Sequence, residues 1–282
     1  MSDLLWELLG ARRSRPGAWK VSIQRDWWAW SGPHGGVLGA LATGAGSELS
    51  PSSAVRSIDL RYLERSDGES LSFTSVLRRT GRGLQVVEVT ATQDSRTLLT
   101  CSITLAGAAE TNGTTLQYPS APAVPPPDDC ARIPVPEQIV PIGAHLEIRP
   151  AGGALPLSGA ASAEMCVWLR LDPPIPVDAA VSLIVVDALP PGIYPLLSAP
   201  VAIPTVQLSV HLHADLAAEP VEGCVLVIQR NVSTRAGWSI DDTDVWDTSG
   251  RLLVQARQLR RILGRLEFGS DPERESAAVD PK

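Results

Sequence analysis

A repeat inside the chain constrains its fold more than any other feature. Residues 80–99, TGRGLQVVEVTATQDSRTLL, lie over residues 234–253, TRAGWSIDDTDVWDTSGRLL, without a gap at an offset of 154 positions. Ile58, Leu60 and Tyr62 meet Leu208, Val210 and Leu212 at an offset of 150, and the difference of four falls in the longer turn around residues 213–223. A helix, three strands and a glycine turn recurring in one order point to two copies of one fold. Two such copies, each wrapping a sheet round one helix, are expected to pack as a pseudo-dimer.

The helix of the second copy is expected in PVDAAVSLIVVDALPP, residues 176–191. Between positions 177 and 189 its polar residues are only Asp178, Ser182 and Asp187, so a helix there is apolar almost all round and must be enclosed by other structure. Asp187 falls in the last turn, at the negative end of the helix dipole and beside an apolar run, where ionisation is opposed twice. Its charge is then expected to cost stability, and Asp187→Asn to fold at least as well as the parent. The plain alternative is that Asp187 opens the turn before Pro190 and Pro191, which must end the helix in any case. The helix alone leaves both readings open.

In the first copy Ser2 can cap a short helix over 3–9, followed by an Arg- and Pro-rich loop and a strand within AWKVSIQRDWWAW, residues 18–30. The tryptophans there read as core or rim. Gly32-Pro33-His34-Gly35-Gly36 then opens onto a buried helix beginning near Val37. Period-two alternation predicts strands over 55–62, 71–79, 84–92 and 96–105, with turn chemistry between them. Residues 106–141 are rich in Pro, Ala, Thr and Asp and read as a linker unable to hold a central strand or helix. Short strands are expected over 144–149 and 164–171. The class is therefore α+β, with an N-terminal module over 1–105, the linker over 106–141, a C-terminal module over 142–264 and a flexible tail over 265–282.

Composition narrows the function. A formal net charge of −7 offers no basic footprint, so neither nucleic acid nor an anionic membrane is an expected partner. No run approaches the roughly 20 apolar residues of a spanning helix, and the start lacks the order of a secretory signal, so a cytoplasmic protein is expected. Cys101, Cys130, Cys166 and Cys224 are scattered without C-x-x-C spacing, which implies neither disulfides nor a metal. No cofactor is implied either. Gly-x-Ser-x-Gly elbows and Walker-type phosphate loops are absent from the sequence.

With these motifs in place the chain resembles the double hotdog acyl-CoA thioesterases, the TesB-like family, over about residues 30–105 and 164–263. The resemblance implies two tandem hotdog modules, each a curled antiparallel sheet around a central helix, and hydrolysis of an acyl thioester by an Asp, a Thr and a Gln. VSLIVVDALPP supplies the Asp as Asp187; IPTVQLSVHLH supplies the Thr as Thr205, with Ser209 and His213 at the family's spacing; TSGRLLVQARQLR supplies the Gln as Gln258, with Ser249 in place of the family's turn Asp. Hydrolysis requires a positioned water, a base and donors for the developing oxyanion, and these side chains permit those roles. In the first half Thr205 and Gln258 fall on Val55 and Thr104, and the acid's place falls near Thr43, so that half looks stripped of its acid. It keeps His34, Gly35 and Gly36, whose position at a helix start could make an oxyanion hole or merely allow close packing. The substrate implied is an acyl thioester of CoA or of a carrier protein, and a homo-oligomer is expected because sheets of this kind pair edge to edge or face to face. The competing reading is a non-hydrolytic double hotdog protein that binds, transfers or rearranges an acyl or polyketide-like intermediate in a biosynthetic pathway. The hydratase motif Asp-x-Asn-Pro-x-His is not in the sequence.

Overall fold

The computed structural model describes residues 3–67, 69–107, 116–117 and 119–269. The first half consists of α1 (Asp3–Leu8), β1 (Ala11–Arg15), β2 (Ala18–Val21), α2 (Gly35–Ser47), β3 (Ala54–Tyr62), β4 (Leu71–Arg79), β5 (Gln85–Gln93) and β6 (Arg96–Ala106). The second consists of β7 (Leu146–Gly153), β8 (Glu164–Leu171), α3 (Val181–Val186), β9 (Thr205–Leu212), β10 (Val225–Arg235), β11 (Trp238–Trp246) and β12 (Leu252–Arg261). All the strands join one sheet in the order β1-β2-β4-β5-β6-β3-β9-β12-β11-β10-β8-β7. Read from the middle outwards, the two halves have the same order, which is the expected tandem architecture of two hotdog modules, here with their antiparallel strands joined into one continuous sheet and each half curled round one helix.

The halves join where β3 pairs antiparallel with β9. Ile58 lies opposite Val210 and Leu60 opposite Leu208, while the repeat equates Ile58 with Leu208 and Leu60 with Val210. The pairs exchange across a local two-fold that passes by Asp59 and Ser209, which face each other and share a hydrogen bond from the Ser209 hydroxyl. All four apolar side chains are fully buried. A slip of one residue would turn them to solvent, and that fixes the register.

The helices lie against each other inside the curled sheet. Every residue of α2 after Gly35 is buried. Gly36 lets the two backbones meet: a Cβ there would stand 2.3 Å from the Leu183 carbonyl oxygen. The helix expected across 177–189 is shorter in fact, spanning six residues. Asp178 ends it early at the N-terminal side, its carboxylate accepting the Ala180 and Val181 N–H groups at 2.9 Å each, while Val177 bridges to Val221 instead. Helix formation therefore stops where a side chain offers the backbone a better partner than another turn would.

Other departures have local causes. The expected loop at 12–17 holds β1, which forms a hairpin with β2 through Gly17 at φ +71°. The strand expected to reach residue 30 stops at Val21, because Trp27 lies in a 3₁₀ turn and stacks on His145 with ring centroids 3.9 Å apart. The segment read as a linker covers a second, smaller core. Strand β8 buries both faces: Cys166 and Trp168 pack with Leu226, Ile228, Trp246 and Leu252 away from α3, under Ala121, Val124 and Cys130. Trp168 fixes that cover by donating to the Pro125 carbonyl at 2.8 Å. Residues 265–269 of the expected tail are tied down through Ser198 and Glu267, and residues 270–282 lie outside the described residues. No helix among the described residues is long and apolar enough to cross a membrane.

Candidate active site

Asp187 is the residue at which α3 ends, and α2 begins directly beside it. The Gly36 N–H donates to Oδ2 at 2.8 Å and the Gln258 side-chain N–H to Oδ1 at 2.6 Å. His34 Nε2 lies 2.9 Å from the Asp187 backbone carbonyl and 3.6 Å from Oδ2. A carbonyl only accepts, so Nε2 carries the proton. The sequence reading considered only the negative end of α3; the structure sets against it the positive end of the longer α2 and two amide donors aimed into the carboxylate. The Tyr62 hydroxyl donates to the Gly35 carbonyl at 2.9 Å and so braces the turn into α2. Burial pushes the Tyr62 phenol well above its usual range, with the Asp187 charge adding to the shift, and it stays a neutral donor.

Thr205 reaches this point through an irregularity in the sheet. In the β12–β9 ladder Gln258 faces Leu208 and Leu259 faces Gln207, but Arg260 faces Thr205, one residue beyond regular pairing. Strict alternation would put Thr205 on the face opposite Gln258; the bulge brings it onto the same one. Gln258 Nε2 lies 3.3 Å from Thr205 Oγ1. The three residues assigned to hydrolysis by resemblance therefore come together, with Gln258 fully buried and the Asp187 side chain 9% exposed.

Sequence reasoning missed the cation beside them. Arg260 is buried, and its guanidinium donates to Thr205 Oγ1 at 2.9 Å and to Gln258 Oε1 at 2.6 Å, with Asp187 Oδ1 3.7 Å away. Its Nε stands 2.9 Å from Asp241 Oδ2, yet the N–H does not point along that line, so the contact is a charge pair more than a directed hydrogen bond. Asp241 is fully buried and also accepts from Asn231 at 2.9 Å and from the Gly192 N–H at 3.0 Å. Gln229, equally buried, donates to the Pro190 carbonyl at 2.7 Å. Through Pro190 and Gly192 this layer holds the turn that follows Asp187. The signal was present in the sequence: Gln258 and Arg260 continue the inward phase of Val254 and Ala256, and Ser239, Asp241 and Thr243 run inward along β11.

Profiles of the acyl-CoA thioesterase N-terminal and C-terminal domains match residues 24–106 and 127–262. The chain belongs to the acyl-CoA thioesterase family. Among solved structures it is similar to a conserved protein of unknown function with the hot dog fold from Alicyclobacillus acidocaldarius, at 22% identity over 94% of this chain and 100% of that one, with a TM-score of 0.83. It is also similar to the tesB protein of Mycobacterium avium subs paratuberculosis (15% identity, 92% and 98% covered, TM-score 0.74) and to the acyl-CoA thioesterase II TesB2 of Mycobacterium marinum (19%, 94% and 99%, 0.69). At these identities the likeness is one of fold. A search of the curated proteins found no match.

Within this thioesterase-family chain the two modules are unequal. Thr43, where the first module's acid would fall, is fully buried and turns its hydroxyl back to the Gly39 carbonyl at 2.9 Å. What the first module brings to the second is the start of α2: His34, Gly35 and Gly36. A Cβ at Gly35 would come within 2.8 Å of Asp187 Oδ2, so glycine keeps that side of the carboxylate clear. His34 is buried, and its Nδ1 has no hydrogen-bond partner among the described residues. A cleft of about 420 Å³ lined by Arg25, Trp28, Arg65, Ser66, Asp67 and Arg96 lies apart from these groups, and none of its lining residues belongs to the Asp187 cluster. Among the described residues no group of three or more His, Cys, Asp or Glu side chains could hold a metal ion.

Proposed function

We propose that the chain hydrolyses acyl thioesters carried by CoA or by an acyl carrier protein. The observation that supports this best is the meeting of Asp187, Gln258 and Thr205 within hydrogen-bond reach, 2.6 Å and 3.3 Å apart across the module boundary from α2. A thioester carbonyl is already electrophilic, so the reaction needs a water held by a base and a donor, and no nucleophilic side chain. Asp187 takes one proton from the water as its oxygen bonds to the carbonyl carbon. The tetrahedral oxyanion then collapses, the C–S bond breaks, and the departing thiolate takes up the proton, leaving a carboxylic acid and a free thiol. Gly36 holds the base through its N–H. Gly35 leaves space beside the carboxylate for the water, and the positive end of α2 favours the oxyanion. His34 orients the Asp187 backbone through its carbonyl.

The test is thiol release from a panel of acyl-CoA and acyl-carrier substrates, with parent and Asp187→Asn compared. The parent is expected to release thiol, and the variant to be slower by on the order of 10² to 10⁴ fold, the usual weight of a general base. Equal rates would remove Asp187 from the mechanism. A parent silent on every thioester would favour the binding or rearranging protein instead.

A further inference from the structure

The polar groups at the site form a closed set of donors and acceptors, and Arg260 determines which way each one points. Side-chain amides are ambiguous between oxygen and nitrogen, but here the ambiguity is lifted from both ends. A guanidinium can only donate, so the amide atom 2.6 Å from Arg260 is Oε1; an ionised carboxylate can only accept, so the atom 2.6 Å from Asp187 is Nε2. Both Nε2 protons then have partners, one on Asp187 Oδ1 and one on Thr205 Oγ1. Thr205 Oγ1 also accepts from Arg260 at 2.9 Å, which fills both of its lone pairs. Its single O–H can therefore only donate. The Gly36 N–H is engaged by Asp187 Oδ2.

We infer that Arg260 is a positioning residue that sets the proton polarity of the site, so that an attacking water accepts from the Thr205 hydroxyl and donates to Asp187, while Gln258 holds the base without touching the water. This rests on the thioester-hydrolase reading. Gln258 cannot hold the water itself, because both of its N–H groups are already committed. A water that accepts from Thr205 and donates to Asp187 has its proton on the line along which the base must take it and keeps a lone pair for the carbonyl carbon. Were the amide turned over, Gln258 would present its oxygen to Asp187, and Thr205 would be free to accept from the water. Asp241 maintains the arrangement by pairing with the buried guanidinium, which is why the cation can lie so deep.

Two readouts test this, one of them independent of activity. Arg260→Lys keeps a charge for Asp241 but replaces the planar fork with a point donor. Because removing the cation alone would strand Asp241, Arg260→Met combined with Asp241→Asn serves as the second variant. In both, hydrogen exchange of the Gln258 side-chain NH₂, followed by NMR, is expected to speed up at least about tenfold, because the amide loses the partner that fixes its oxygen. On the best thioester kcat is expected to fall on the order of 10 to 100 fold with KM little changed, as for an interaction made in the transition state. Unchanged exchange in folded variants overturns the inference, whatever the rates. Faster exchange with undiminished kcat overturns the positioning role. A parent that releases no thiol defeats the hydrolase reading instead, and the exchange rates still decide whether Arg260 orients the amide.

Discussion

Gly36→Ala tests the close approach of α2 to α3. The added Cβ would stand 2.3 Å from the Leu183 carbonyl oxygen and 2.8 Å from Ile184 Cα, where ordinary contact begins near 3.4 Å. Both obstacles are backbone, so no side chain can swing aside, and the two helices must part by about 1 Å. Overpacking of this kind costs about 1–3 kcal/mol. The same movement stretches the 2.8 Å hydrogen bond from Gly36 to the Asp187 carboxylate, a charged bond worth about 1.5–3 kcal/mol. Alanine's helix preference returns about 1 kcal/mol, leaving a net loss of about 1.5–5 kcal/mol. At about 2–4 °C per kcal/mol for a chain of this size, the thermal midpoint should fall by roughly 3–20 °C. Gly83→Ala is the control. A Cβ there meets nothing within 4 Å, so its midpoint should hold or rise slightly. Calorimetry of the three proteins decides the matter: Gly36→Ala melting with the parent would mean that α2 and α3 do not meet as described.

Asp187→Asn should lose stability as well as hydrolysis, contrary to the expectation from α3 alone, because an amide has one acceptor where Gly36 and Gln258 supply two donors; a cost of about 1–3 kcal/mol follows, and a midpoint at or above the parent's would contradict it. Glu147 is nearly buried, yet hydrogen bonds from Arg149 and Arg170 outweigh its burial and hold its carboxyl below the usual range. A folded value below the unfolded one means that its contribution is full above the unfolded value, about 4.3, and is lost as pH falls through the folded value. Glu147→Gln should therefore cost about 1–3 kcal/mol at neutral pH and flatten the acid limb of a stability–pH curve, and an acid limb identical to the parent's would refute this. Burial, with help from the Asp59 charge, pushes the Cys101 thiol far up, and burial pushes Cys166 up to about 11. Alkylation at pH 8 should thus reach half-buried Cys224 first and Cys101 only on unfolding, and mass spectrometry showing Cys101 labelled early would count against the packing.

The repeat made the fold legible because alternation of buried and exposed residues survives in both copies: β4 and β8 have the bounds that the pattern gives, and β3, β5 and β6 differ by a residue or so. The N-terminal hairpin did not show, since β1 is almost wholly exposed and carries no apolar phase. Asp187, Thr205 and Gln258 were found through resemblance, whereas periodicity alone would have turned Thr205 away from the site, because a bulge leaves no mark in side-chain alternation. Arg260 and Asp241 could have been read from polar residues lying in an inward phase, but their pairing links strands β12 and β11 with the turn at Gly192, a contact that one strand's pattern cannot contain.

A sheet that ends in two free edges could go on adding strands from other molecules, and this one ends in β1 and β7. Along β1 the side chains of Arg12, Arg13 and Arg15 stand in solvent, so a second β1 laid alongside would bring like charges together. On β7 the Ile148 carbonyl is already taken by the Ile133 N–H, and Pro150, Gly152 and Gly153 break the run beyond it. Growth is thus opposed by different means at the two rims, by charge along β1 and by the chain's own backbone at Ile148 on β7. A copy joining at either rim would have to overcome these obstacles, whereas one joining at the faces of the curled sheets would be chosen by side chains and not by exposed backbone.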